Sequence, residues 1–285
     1  MSARVMKKIE YYSLNTLTWV IVAFVVFPII WMVKVSLHKN GEILQGITSM
    51  AIPDPQWLNY KNLWETINFG QYFKNSLLIC TSTMFISCFL AVLAGYALAR
   101  YKFPGSGLFG MSVIGTQMIP GIMFLLPIYL LFLNIKDTFG LPMVDTYWGM
   151  ILVYSAFYTP MSIWIIRSFF VSIPKELEES ARIDGCNRIQ AFVRIILPLS
   201  IPGIIAMCVY IFLTAWDELM FAWVLTTTPE VQTIPVGIRL FVGQYTNRYD
   251  LLMSAATVVT LPVIITFFLS QKYFISGMTA GAVKG

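Results

Sequence analysis

Two adjacent carboxylates, Asp217 and Glu218, sit in a stretch that is otherwise apolar from Ile201 to Leu225. An acidic side chain at the centre of a membrane helix costs about 2.5–3.5 kcal/mol on insertion scales, so it faces protein or a watery path. Two readings follow. Either the pair borders a permeation route and accepts hydrogen bonds from ligand hydroxyls, or it lies in the outer third of its helix and bonds to neighbouring helices. A second polar group, Lys175 to Asp184, lies between apolar runs and suits a grip by another macromolecule. Enzyme signatures are missing. The chain has no H-E-x-x-H, no G-x-S-x-G and no G-x-x-x-x-G-K-[ST]; the Gly105, Gly107, Gly110 cluster lacks the lysine. The spacing of Cys80, Cys88, Cys186 and Cys208 suggests neither a metal site nor a structural disulfide, and His38 reads as a bland outer-surface residue. No catalytic residue, metal or bound cofactor is expected on this chain.

The elements that must position these residues are membrane spans. Of 285 residues, 58% are hydrophobic and 12% charged, against about 25% charged in soluble domains. A span needs about 20 apolar residues, and six runs qualify: 14–33, 77–99, 108–133, 147–166, 201–225 and 251–270. Pro202 and Pro262 interrupt the last two, which membrane helices tolerate. The prediction is an all-α polytopic integral membrane protein with six transmembrane helices and one domain over 1–285. The first run follows Arg4, Lys7 and Lys8, but it is long for a secretory signal and no cleavage pattern follows, so it reads as a retained helix. No internal repeat is present, which argues against a self-sufficient carrier built of related halves.

Charge sets the orientation. The net charge of +5 is spread over short loops without a patch, so nucleic acid is not an expected partner. With both termini inside, inner segments hold twelve basic residues, among them Arg100, Arg167, Arg182 and Arg194, against seven outside. That asymmetry obeys the positive-inside rule and places 167–200 in the cytoplasm. Outside, Gln56 to Phe69 reads either as a short amphipathic surface helix or, the favoured reading, as an ordinary interfacial aromatic anchor through Trp57, Tyr60 and Trp64, and the loops 134–146 and 226–250 (Thr226 to Thr228, Glu230, Gln232, Gln244) are polar.

The cytoplasmic segment 172–200 reads as helix, turn, helix. Pro174 suits a first turn, Glu176, Glu178 and Glu179 favour the positive end of the helix dipole, and Glu178 stands four before Arg182. Leu177 and Ala181 share one side as an apolar strip, and Gly185 ends the helix. Asn187 with Gln190 forms a capping-box pattern. Ile189, Phe192, Val193 and Ile196 then make one apolar stripe, and Pro198 and Pro202 mark a bend into the fifth span.

The spacing Glu179-Ser180-Ala181, three residues, Gly185, nine residues, Ile195-Ile196-Leu197-Pro198 resembles the E-A-A docking loop of permease subunits of ATP-binding-cassette (ABC) importers. Ser180 for the middle Ala is the one departure. Further matches are Ala94 to Gly105, Trp216-Asp217-Glu218 (with Asp217 where Asn is usual) and Gly277 to Gly285. Together they resemble the carbohydrate-uptake, maltose-type branch over nearly the whole length. That resemblance implies a type I ABC importer permease fold in a bacterial cytoplasmic (inner) membrane. It implies as partners a second homologous permease, two ABC ATPase subunits, an extracytoplasmic sugar-binding protein, membrane lipid and a carbohydrate substrate. ATP and Mg would reside on the ATPases. Glu179, Ser180, Ala181, Asp184, Gly185, Ile195, Leu197 and Pro198 would form the ATPase-docking loop, with Ser180 and Ala181 small enough to sit deep in a partner's groove. Loop 226–250 would meet the binding protein. Trp216, Asp217, Glu218 and Asn134 are the candidates for the substrate path. Trp216, Phe221 and Trp223 are placed to stack on a pyranose ring or to pack within the chain.

Overall fold

The computed structural model describes residues 3–47, 51–243 and 247–282, with side chains from 11 to 273 within those ranges. Gln244, the side chains of Arg4, Lys7 and Lys8, and the side chains of the Gly277–Gly285 signature lie outside the described residues. In chain order the helices are α1 (Ala3–Ser36), α2 (Asn40–Gln45), α3 (Leu58–Thr66), α4 (Phe69–Arg100), α5 (Ser106–Gly115), α6 (Leu125–Phe139) and α7 (Tyr147–Ser172). There follow α8 (Lys175–Ile183), α9 (Arg188–Ala191), α10 (Leu197–Leu199), α11 (Ile201–Trp216), α12 (Met220–Leu225), α13 (Ile234–Ile238) and α14 (Tyr249–Ala282). Among the described residues the one β contact is an isolated antiparallel bridge, Val242 with Asn247. Among the described residues five helices are long and apolar enough to span a membrane, and a sixth span results if Arg188–Leu199 and Ile201–Trp216, bent by 71°, count as one.

Two of the expected spans are broken. The run 108–133 stops at Gly115 and passes through 3₁₀ turns at Thr116–Met118 and Gly121–Phe124 before α6 begins. Pro120 is the cause: its ring disfavours helix at the preceding residue, and Ile119 is extended at φ −89°, ψ 124°. The run 201–225 ends at Trp216, and Asp217 to Leu219 separate it from α12. Pro202 lies in the first turn of α11, where its missing N–H costs little, whereas Pro28, Pro160 and Pro262 lie inside helices.

The chain divides into two compact units, 1–69 with 238–261 and 70–237 with 262–285. In the unit formed by 1–69 and 238–261, the end of α1 is closed by Asn59. Its amide donates to the carbonyls of Ser36 (2.9 Å) and His38 (3.0 Å), groups that a helix end leaves without partners. His38 is buried, not a surface residue, and its Nδ1 lies 2.9 Å from the Lys34 carbonyl. Asn40 accepts from the Tyr249 amide (3.0 Å) and donates to the Asn247 carbonyl (2.8 Å), which fixes the start of α14. The short helix considered at Gln56 to Phe69 is α3, with Trp57 exposed and stacked on Tyr60.

The unit of 70–237 and 262–285 holds the core in which Ala91, Ile166, Phe170, Ile196, Met207 and Ile211 are buried. α7 is its centre. Helices cross it where a side chain is missing: a Cβ on Gly95 would stand 2.6 Å from Ile166 Cγ2 and 3.2 Å from the Ile163 carbonyl, and Gly203 meets the ring of Phe169 in the same way. Cys88 and Cys208 place their thiols 3.7 Å apart between α4 and α11. Replacing Gly95 by Val overpacks the α4–α7 crossing, where one backbone cannot yield. We expect a loss of about 1–3 kcal/mol, read as a lower melting temperature of the detergent-solubilised protein.

Candidate functional site: an inner-face elbow and a capped break

The 172–200 cassette folds as a helix, a Gly turn and a second helix. α8 carries Glu176 and Glu178 in its first turn and Arg182 in its last, matching the dipole. Pro174 stands one residue before the helix, at its N-cap. At the other end Gly185 takes φ +92°, the Gly185 amide donates to the Arg182 carbonyl (3.2 Å) and the Cys186 amide to the Ala181 carbonyl (3.0 Å). Those two bonds make a complete Schellman stop. The next helix starts at once. Asn187 Oδ1 accepts from the Gln190 amide (2.8 Å) and Gln190 Oε1 from the Asn187 amide (2.9 Å), the reciprocal box its sequence suggests.

Beyond α9 the expected stripe fails. Phe192–Ile196 form a π-helical turn, which adds a residue per turn and shifts the register. Ile196 is buried and Phe192 partly so, while Ile189 and Val193 are exposed. Ala181 is also corrected: it is buried against its own chain and offers nothing outward. The outer face of α8 carries Glu179, Ser180 and Ile183, with Leu177 half-exposed and Asp184 and Gly185 at the turn. Ile195 and Leu197 are partly buried and Pro198 is exposed. Glu178 does not serve as the surface partner of Arg182. Its carboxylate turns inward to Arg100 Nε (3.4 Å) and accepts from the Tyr96 hydroxyl (2.8 Å). The sequence placed Arg100 only at the inner end of a span. Beside this contact a cleft of about 240 Å³ is lined by Arg100, Lys175, Arg182 and Arg188 with Glu178 and Glu179.

The intramembrane carboxylates part company. Glu218 caps α12: Oε1 accepts from the Phe221 amide (2.9 Å), and Oε2 from the Ala222 amide (3.1 Å) and the buried Tyr154 hydroxyl (2.7 Å). Asp217 is exposed. Trp216 is 4% exposed, stacked on Phe212 (5.4 Å between centroids) and edge-on to Phe73 (5.8 Å), so its ring is committed to packing. Phe221 is likewise buried against Phe157 (4.8 Å), while Trp223 is half-exposed. The broken third span reaches the same aromatic group, because Phe124 packs on Phe157 (5.8 Å) and Gly121 lies beside Phe157 and Phe221. Gln117 donates to the Phe157 carbonyl (3.2 Å) and Met118 is exposed. Asn134 is exposed on α6, and among the described residues no hydrogen bond joins it to Asp217 or Glu218.

Elsewhere in the same unit, the buried Asn75 organises 226–234. Its Oδ1 accepts from the Tyr147 hydroxyl (2.7 Å) and the Gln71 amide (2.8 Å), and its Nδ2 donates to the carbonyls of Pro229 (3.1 Å) and Gln232 (2.8 Å). Every polar position of that side chain is therefore used. Ser76 Oγ accepts from the Ile234 amide (2.8 Å). This stretch is less open than its polar sequence suggests, since Thr226, Val231, Thr233 and Ile234 are buried.

Residues 87–280 match the family of binding-protein-dependent transport system inner membrane components. This chain belongs to that family. Membership makes it a multi-pass inner-membrane permease component of an ABC importer, with a transport role and not a catalytic one. It is 36% identical over 269 residues to the trehalose/maltose transport system permease protein MalG of Thermococcus litoralis, covering 91% of each chain. It is 34% identical over 263 residues to the arabinooligosaccharides transport system permease protein AraQ of Bacillus subtilis, covering 91% of this chain and 90% of that one. Its fold is similar to a chain in the crystal structure of a bacterial ABC transporter involved in import of the acidic polysaccharide alginate. That match has a TM-score of 0.77 at 21% identity and covers 96% and 99% of the two chains. The fold is the importer-permease fold expected from the sequence.

Asp145 joins two outer loops at a left-handed φ of +58°. Burial pushes its carboxyl up, but the amides of Thr227 (2.8 Å) and Thr228 (3.0 Å) outweigh this and hold it below the usual carboxylate range. A depressed folded pKa means the tether is complete above the unfolded value and is lost as pH falls through the folded one. Asp145→Ala should accelerate hydrogen exchange at the Thr227 and Thr228 amides by about 10- to 100-fold, the range for bonds to a charged acceptor. The parent protein should keep that protection at neutral pH and lose it on strong acidification.

Proposed function

We propose that this chain forms half of the translocation pathway for a sugar or oligosaccharide, delivered by an extracytoplasmic binding protein. A second permease subunit supplies the other half, and two ATPase subunits carry the ATP and Mg. Both termini and the elbow at 172–200 face the cytoplasm, as the basic residues favour. The elbow carries the proposal: a helix stopped by Gly185, a second helix started by Asn187, and an exposed face holding Glu179, Ser180 and Ile183. Such a shape lets a partner grip α8 and turn the bent pair that follows it, a rigid-body transition. The sugar class is supported by the named substrates of the relatives, trehalose and maltose for one and arabinooligosaccharides for the other.

Substrate contact on this chain falls to Asp217 and the exposed side of the broken third span around Met118, because Trp216 and Glu218 are occupied by the fold. Glu179→Lys reverses the charge on the outer face of α8, and Gly185→Val forces a β-branched residue into φ +92°. Both variants should insert in the membrane, fail to retain the ATPase subunits on purification, and take up neither labelled trehalose, maltose nor arabino-oligosaccharides. Normal ATPase retention in both would overturn the docking assignment. Uptake of none of these sugars by the parent complex would remove the substrate class and leave the docking assignment standing.

A further inference from the structure

We infer that Glu178, Arg100 and Tyr96 form an internal brace that makes the docking helix move as one body with the inner end of α4. The inference rests on the docking reading of α8 and adds a second route by which motion leaves it. The route along the chain runs through the turn at Gly185 and the bent pair 188–216. The brace bypasses that turn.

Three observations carry it. First, the ion pair is withdrawn from water: the Arg100 side chain is 5% exposed and that of Glu178 15%. Removing one partner from such a pair leaves an uncompensated charge, so the two have to travel together. Second, the same guanidinium donates through Nη2 to the Ile173 carbonyl (3.0 Å), the residue at which α7 ends. One side chain at the last position of α4 thus holds both the end of α7 and the beginning of α8. Third, Tyr96, one turn earlier on α4, donates to Glu178 Oε1 (2.8 Å) while its ring lies 4.4 Å from that of Phe192 and 5.6 Å from that of Phe170. Four segments therefore meet at one carboxylate and one phenol ring: α4, α7, α8 and the π turn.

The residues on the outer face of α8 take no part in this contact. Glu179 and Ser180 are exposed, whereas Glu178 faces the chain. Neighbouring glutamates are thereby divided between two tasks, one turned to a partner and one to the bundle. The Arg100–Glu178 pair at 3.4 Å is held by charge proximity, while the aligned hydrogen bonds of the contact are those of Tyr96 to Glu178 and of Arg100 Nη2 to Ile173. Glu178 and Arg100 act as positioning residues.

The test uses the whole transporter complex and hydrogen exchange with and without ATP plus orthovanadate, so that no transported sugar is needed. In the parent, trapping the nucleotide should change protection both in α8 and in the segment 96–103 at the inner end of α4. In Glu178→Gln, and more mildly in Tyr96→Phe, the ATPases should still co-purify and hydrolyse ATP. The α8 response should persist there, while the response of 96–103 falls by about tenfold, within the range of measured coupling effects. A response of 96–103 that survives Glu178→Gln at parental size overturns the brace. So does loss of ATPase co-purification in that variant, which would make Glu178 a direct docking contact. Tyr96→Phe keeps the ion pair and removes one hydrogen bond, so it reports on the brace even where Glu178→Gln fails to fold. Absence of any nucleotide response in α8 of the parent would instead refute the docking reading.

Discussion

Inside hydrocarbon, a backbone amide or carbonyl released from a helix has no water to bond, and each interruption of a span must bring its own replacement partner. This constraint decides where the chain places polar side chains within its apolar bulk. The break after Trp216 frees the first amides of α12, and Glu218 sits two residues ahead to take them. The break at Pro120 lies beside Gln117, whose side-chain amide bonds the Phe157 carbonyl and so ties the broken span to α7. Where α1 ends, Asn59 arrives from a separate helix to cover two carbonyls. Ser200 bonds the Ile196 carbonyl at the bend before α11. A carboxylate in a span is thus no indicator of substrate contact until its backbone duties are known.

The elbow and the 226–234 segment answer the same constraint by opposite means. In the elbow, the polar ends of two short helices are closed locally, by a Schellman stop and a capping box, so it keeps its shape while its exposed surface stays open. The segment 226–234 has little regular structure of its own and is held from a distance, by Asn75, Ser76, Tyr147 and Asp145. The first arrangement suits a part that transmits force. The second suits a surface held in a fixed form for recognition.

Most of the architecture was legible in the sequence because it depends on features that a linear reading records. Run length gives the spans, and Gly185, Asn187 and Gln190 give the elbow by local chemistry alone. What escaped depends on partners far along the chain. The inward turn of Glu178 needs Arg100, and the commitment of Trp216 needs Phe73 and Phe212. The burial of His38 in a segment read as surface follows from the fold around the end of α1. The apolar stripe at Ile189 to Ile196 misled for a different reason: it presumes 3.6 residues per turn, and a π turn changes that count. Pro120 was visible, but tolerance of proline in membrane helices concealed that this one breaks its span.

The apolar window of α1 has none of its residues buried within the chain, although its mean hydropathy is 2.4. A window that buries none of its apolar residues against its own chain leaves that surface for lipid or for another subunit, so substitutions there would alter lipid contact or assembly before they altered the fold of the chain.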